Sequence, residues 1–224
     1  FGPYIDAIER EPLRLVIEKE YQPTRIHQEG KPKAKFPAVE FVTDWLSGDR
    51  KLLTVLGDYG VGKSWMLRKV LYELTARYKA DPATRPLPLL VPLQRFTKAF
   101  DFKNLILATL ESYGVGGVHY EAFRYLAHQG RIIFLYDSFD EMAQMLSRDV
   151  IRANLRELLD GIRGKSRGVL TSRPTYFDSR AERLLAVEQS DGASIHTIDE
   201  LAARDQTALT RYLTSELEGA QFAR

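Results

Sequence analysis

The chain has no cysteine among its 224 residues, which excludes a disulfide framework and any thiolate metal site. It also lacks an apolar run near the ~18 residues of a membrane span. It has almost no excess charge: 32 basic against 30 acidic residues leave +2. That balance gives no strong case for nucleic acid or an anionic membrane as the main partner. The short basic clusters Lys31–Lys35 and Arg163–Arg167 read as solvated loops. No internal repeat or low-complexity tract is present. The first residue is Phe1 with no signal-peptide pattern after it, so the expectation is a piece of a longer chain in a reducing, cytoplasmic setting. Hydrophobic residues make up 44% and charged residues 28%, enough apolar material for a globular core.

What is there is an alternation of strand and helix patterns. Residues 1–20 read as helical and 21–40, with Pro23, Gly30, Pro32 and Pro37, as a linker. A short helix is expected over 41–46. Leu52 to Leu56 is apolar without alternation, the pattern of a buried parallel strand. Helix 63–78 follows, then a strand over 87–93 that Pro88 and Pro92 should keep short or irregular. Helices are expected over 101–112, 120–128 and 149–163, strands over 132–136, 168–171 and 195–198, and a last helix over 205–217. The order favours an α/β fold, three layers deep, with a mostly parallel central sheet covered by helices on both faces and an N-terminal helical segment before it. The expected divisions are 1–40, 41–200 for an NTPase domain, and 201–224 for the start of a further helical segment.

Chemistry gathers at strand ends. Gly57-x4-Gly62-Lys63-Ser64, between strand and helix, is the P-loop pattern. Its glycines let backbone N–H groups approach phosphate oxygens, and the helix adds its free N–H groups and positive dipole end. The phosphate cradle is read as Gly57, Asp58, Tyr59, Gly60, Val61, Gly62, Lys63, Ser64 and Trp65. Lys63 can reach the β- and γ-phosphates and Ser64 can ligate Mg2+. The strand ending in Asp137 offers a carboxylate to the same Mg2+ through water. Asp140 and Glu141, just beyond it, are the candidates to orient or deprotonate an attacking water. Arg173, at the end of the strand after Gly168, can aim at the γ-phosphate.

GDYGVGKS at 57–64, FLYDSFDEM at 134–142 and LTSRP at 170–174 together resemble the NACHT group of signal-transduction ATPases, within the STAND class of P-loop NTPases. The middle motif is the most specific, with Asp137 followed by the small Ser138 and, two positions on, by Asp140. The resemblance covers roughly residues 50–215. It implies Asp137 as the water-mediated Mg2+ ligand, Asp140 as the catalytic acid residue and Arg173 as the sensor arginine, with Glu141 also matching the pattern. It implies adenine contacts from the stretch around Ile26 to Phe41. It further implies an ATP/ADP switch that hydrolyses slowly and self-associates on activation, with sensor and effector domains outside these residues. A winged-helix histidine typically contacts nucleotide in that group; no histidine here sits in a matching downstream motif. The residues themselves leave two other readings open: a nucleotide-stabilised scaffold without turnover, and a small-molecule kinase.

Overall fold

Five consecutive apolar or small residues, Leu52–Leu56, can be satisfied only where both faces of a strand are covered, and they form the buried strand β3. Before it come helices α1 (Gly2–Glu9), α2 (Pro12–Glu20) and α3 (Ala38–Ser47), and strands β1 (Arg25–Gln28) and β2 (Lys35–Pro37). After it come α4 (Lys63–Ala80), β4 (Leu87–Pro92), α5 (Phe102–Ser112), α6 (Tyr120–His128), β5 (Ile132–Asp137), α7 (Phe139–Ala143), α8 (Arg148–Gly161), β6 (Arg167–Ser172) and β7 (Ser194–Ile198). The computed structural model describes residues 1–28, 33–144, 146–176 and 194–198. The helix expected over 205–217 lies outside them.

Among the described residues seven strands form one sheet in the order β2-β1-β7-β3-β6-β5-β4. Strands β3 to β7 run parallel, and β1 and β2 join antiparallel beside β7. The crossover from β3 to β4 travels along the sheet in one direction, and those from β4 to β5 and β5 to β6 travel back. Right-handed crossovers then place α4 on one face and α5, α6 and α8 on the other. α1, α2 and α3 pack against α4, and α5 against α8. The core is continuous through the sheet, with Leu53, Val55, Leu89, Val91, Phe134 and Leu135 fully buried.

Three expectations change. The helix read over 1–20 is two helices, because Pro12 has no N–H to continue α1 and instead starts α2. The segment read as a linker over 21–40 holds β1, β2 and the first residues of α3. Those strands are three or four residues long and mostly exposed, too short to show a period in the sequence. Pairing Ile26 with Ile198 in β7 is what orders β1. The strand read as short or irregular at Pro88 and Pro92 is a regular six-residue strand at the sheet edge. Leu87 donates its N–H inward to Arg131 of the neighbouring chain segment at 2.8 Å. Alternation then turns residues 88, 90 and 92 outward, so both prolines stand where no ladder bond is lost. The outward N–H between them, that of Leu90, donates to the Tyr4 hydroxyl at 3.0 Å.

Candidate functional site

The site is built where β3, β5 and β6 end together. Gly57 leaves β3 with its N–H donated to the Ser172 carbonyl at 3.1 Å. A Cβ at Gly57 would lie 2.3 Å from Ile198 Cγ2 and 2.7 Å from Val61 Cγ2, so no side chain fits there. The loop then turns back through Gly60 (φ +80°) and Gly62 (φ +88°), both in the left-handed region that glycine adopts without strain. Gly62 is the N-cap of α4, which leaves the first-turn N–H groups of Lys63 and Ser64 without carbonyl partners inside the helix. Lys63 Nζ donates to the Gly57 carbonyl at 2.6 Å and the Asp58 carbonyl at 2.9 Å. Its ammonium is folded over the loop. Burial pulls its pKa below the ordinary value, opposed by the nearby Asp140 carboxylate.

Asp137 is the junction of three elements. Its Oδ1 accepts from Ser64 Oγ of α4 at 2.9 Å and from Thr171 Oγ1 of β6 at 3.0 Å. It is 3% exposed. Burial raises its pKa, and the two hydroxyl donors pull the other way. The next residue, Ser138, is in the left-handed region at φ +61°, a backbone position that costs a non-glycine residue energy. Its N–H is held by Thr171 Oγ1 at 3.0 Å. This turn starts α7 abruptly and carries Asp140 back over the site.

Asp140 is buried, and Arg173 Nε stands 2.9 Å from its Oδ2. The N–H is not aligned for a hydrogen bond, so the contact is an ion pair. The Arg173 guanidinium also lies 5.1 Å from the centre of the Tyr59 ring, a cation–π arrangement with an exposed tyrosine of the glycine loop. Glu141 is exposed at the mouth.

A cleft of about 370 Å³ runs between these groups. Its walls include Tyr59, Gly60, Gly62, Lys63, Ser64, Trp65, Asp140, Glu141 and Arg173. Of the other expected residues, Gly57 and Val61 are buried beneath the loop and Asp58 is exposed, while Asp137 lies behind Ser64. The opposite wall is Glu20, Tyr21, Gln22 and Thr24, which the sequence reading did not assign. They follow α2 and are drawn in because β1 pairs with β7, which pairs with β3. The described residues of the stretch from Ile26 to Phe41, where adenine contacts were expected, do not line this cleft. No pattern in residues 20–24 signals a binding role; only the pairing of β1 brings them here.

Among the described residues no group of three or more carboxylates, histidines or cysteines could hold a metal ion. The Ser64–Asp137 pair is the alternative kind of donor set. One hydroxyl and one buried carboxylate suit Mg2+, which keeps several waters and shares its remaining positions with substrate phosphates.

A strand–glycine loop–helix unit with an acid at the end of a parallel strand two places along the sheet defines a nucleotide-binding P-loop NTPase domain. The family model described as the NACHT domain matches residues 51–216, and the chain belongs to that family. An uncharacterized WD repeat-containing protein from Nostoc sp. is 26% identical over 200 residues, covering 81% of this chain and 13% of its own length. Among solved structures, C. elegans PCH-2 aligns at 14% identity and TM-score 0.45, covering 81% of this chain and 47% of that one. The Aeropyrum pernix ORC2 protein in its ADP form aligns at 13% identity and TM-score 0.48, with coverages of 82% and 52%. The chain thus spans a small part of the Nostoc relative and about half of each structure.

Proposed function

We propose that this domain is an ATP-binding, slowly hydrolysing switch whose nucleotide state controls self-assembly of a larger signalling protein. The observation that carries this reading is the Asp140–Arg173 ion pair at the cleft. The acid that would handle the attacking water is neutralised by the arginine that would read the γ-phosphate.

When ATP enters, the loop N–H groups and the first turn of α4 hold its phosphates. Lys63 exchanges the Gly57 and Asp58 carbonyls for phosphate oxygens, stronger acceptors because they carry charge. Arg173 is drawn from Asp140 toward the γ-phosphate. Asp140, now unpaired, orients a water and accepts its proton at a carboxylate oxygen. Ser64 and Asp137 would hold Mg2+, the latter through water, and this cation would neutralise charge developing on the phosphates. Glu141, exposed at the mouth, is placed to bind water or a partner group rather than to react directly. With ADP the Arg173–Asp140 pair re-forms. A ligand shifts an equilibrium only by its difference in affinity for the two states, and here that difference arises at Arg173. The WD repeats named for the Nostoc relative fit a repeat sensor lying outside these residues.

The experiment is phosphate release by the wild type and Asp140→Asn, measured with nucleotide affinity. The switch reading expects turnover to fall at least ~100-fold with ATP affinity retained. An unchanged rate of release would instead favour the scaffold reading, in which the Asp140–Arg173 pair is a permanent strut of the cleft.

A further inference from the structure

The sheet has a second cavity, at its other end. The glycine loop and Asp137 occupy the carboxyl ends of the strands. At the amino ends a cavity of about 300 Å³ opens between α3, α4 and the starts of β4, β5 and β6. The two cavities share no lining residue. Arg77 lies on its rim, fourteen positions after Lys63 (77 − 63) on the same helix, which separates the two along α4 by roughly 21 Å.

The cavity combines an apolar floor with a cationic rim. Leu46, Leu74 and Ile133 make the floor, and Arg77, Arg85 and Arg167 make the rim. No carboxylate is present among the described residues that line it. Arg167 is half-buried and donates Nη1 to the Leu46 carbonyl at 2.5 Å. A neutral carbonyl fixes that guanidinium in place, and among the described residues no carboxylate forms an ion pair with it. Arg77 and Arg85 are exposed and free to close over a guest. Asp81 feels the field of Arg85, and its carboxylate is occupied by the N–H and hydroxyl of Thr84. The neighbouring cations follow the same pattern: Arg131 is held on the Pro82 carbonyl and Lys51 on the Gly164 carbonyl. Arg163, farther along the same edge, is instead paired with Asp160, so the use of main-chain oxygen is particular to Arg167, Arg131 and Lys51.

Three guanidinium groups around one small cavity repel one another, and an anion in it would relieve all three at once. The planar fork of arginine matches the oxygen spacing of phosphate. The apolar floor adds a place for a compact carbon body. We infer that this cavity is a second ligand site, distinct from the nucleotide cleft, for a small phosphate ester that rests its apolar body on Leu46, Leu74 and Ile133 and its phosphate on Arg77, Arg85 and Arg167. The site does not depend on the switch reading.

The test is calorimetric titration with phenyl phosphate, inorganic phosphate and phenylacetate, with ADP in excess so that the glycine-loop cleft is filled. Phenyl phosphate is expected to bind one to one, with inorganic phosphate and phenylacetate each at least ~10-fold weaker. The Arg77→Gln/Arg85→Gln variant, changed only at exposed positions, is expected to lose at least ~10-fold in phenyl phosphate affinity while ADP affinity and melting temperature hold. Arg85→Ala alone gives the same readout should the double variant misfold. Absence of saturable binding, or binding that survives these changes, would overturn the site. Inorganic phosphate binding as tightly as the ester would overturn the role of the floor, and phenylacetate doing so would overturn the choice of phosphate.

Discussion

A single methyl group at Gly57 has nowhere to go, because Ile198 and Val61 already stand within 2.3 and 2.7 Å of its place. Gly57→Ala is therefore expected to destabilise the fold by about 1–3 kcal/mol, read from the denaturant midpoint. Lys63→Ala removes the ammonium that would meet phosphate; a charge-assisted hydrogen bond is worth roughly 1.5–3 kcal/mol, so calorimetry should find ADP held about 10- to 150-fold more weakly. Unchanged affinity would mean that the loop does not bind phosphate as described. At this scale the sequence is informative where chemistry and spacing are local. Gly57, Lys63, Ser64 and Asp137 could be picked out because a phosphate cradle needs those residue types in that order. The Asp140–Arg173 pair was visible only as two candidates, since their meeting depends on β5 and β6 lying side by side. The left-handed turn at Ser138 was not visible at all. Nothing about serine announces a positive φ, and only the Thr171 hydroxyl accepting its N–H makes the position tenable.

Secondary-structure elements are tied together by a few polar contacts whose loss can be measured. Glu11, at the start of α2, receives Arg68 through Oε1 and the Tyr72 hydroxyl through Oε2, both from α4. Burial and this acceptor raise the Tyr72 pKa, so the phenol stays protonated and continues to donate. Glu11→Ala should loosen α2 from α4 and speed amide hydrogen exchange across Pro12–Glu20. Because residues 20–24 wall the nucleotide cleft, ADP affinity should fall a few-fold as well. Protection unchanged in α2 would show that apolar packing alone fixes it. Tyr4→Phe leaves the Leu90 N–H of β4 without its acceptor, at an expected cost of about 1–3 kcal/mol. The long periodic helices and the unbroken apolar strands were legible because burial on one or both faces writes itself into the sequence. The β1–β2 pair was not, for each strand is too short to display its period, and β1 owes its place to β7, some 170 positions away (Ile198 against Ile26).

Acid sensitivity belongs to the whole molecule. His196 sits in β7, 5% exposed, against the Phe41 ring at 4.6 Å. Burial first, then the positive field of Arg50 and His27, pulls its pKa to about 4. In the unfolded chain it titrates near 6.5. Between those values the unfolded state binds a proton that the folded state refuses, so stability is full above pH 6.5 and declines as pH falls toward 4. Denaturation midpoints at pH 7 and pH 5 should differ in that direction, and His196→Leu should narrow the difference. An equal gap in the variant would assign the acid response to other groups.

The outward row of β4 reads proline, an N–H already spoken for by Tyr4, and proline again. A neighbour's backbone finds no donor there to grasp, so this rim of the sheet cannot be extended like a zip by a second copy. If the proposed switch gathers copies in response to nucleotide, any contact at this rim would be made through side chains and helix surfaces. Contacts of that kind come apart when the shape of either party changes, whereas a backbone seam would outlast the signal that made it.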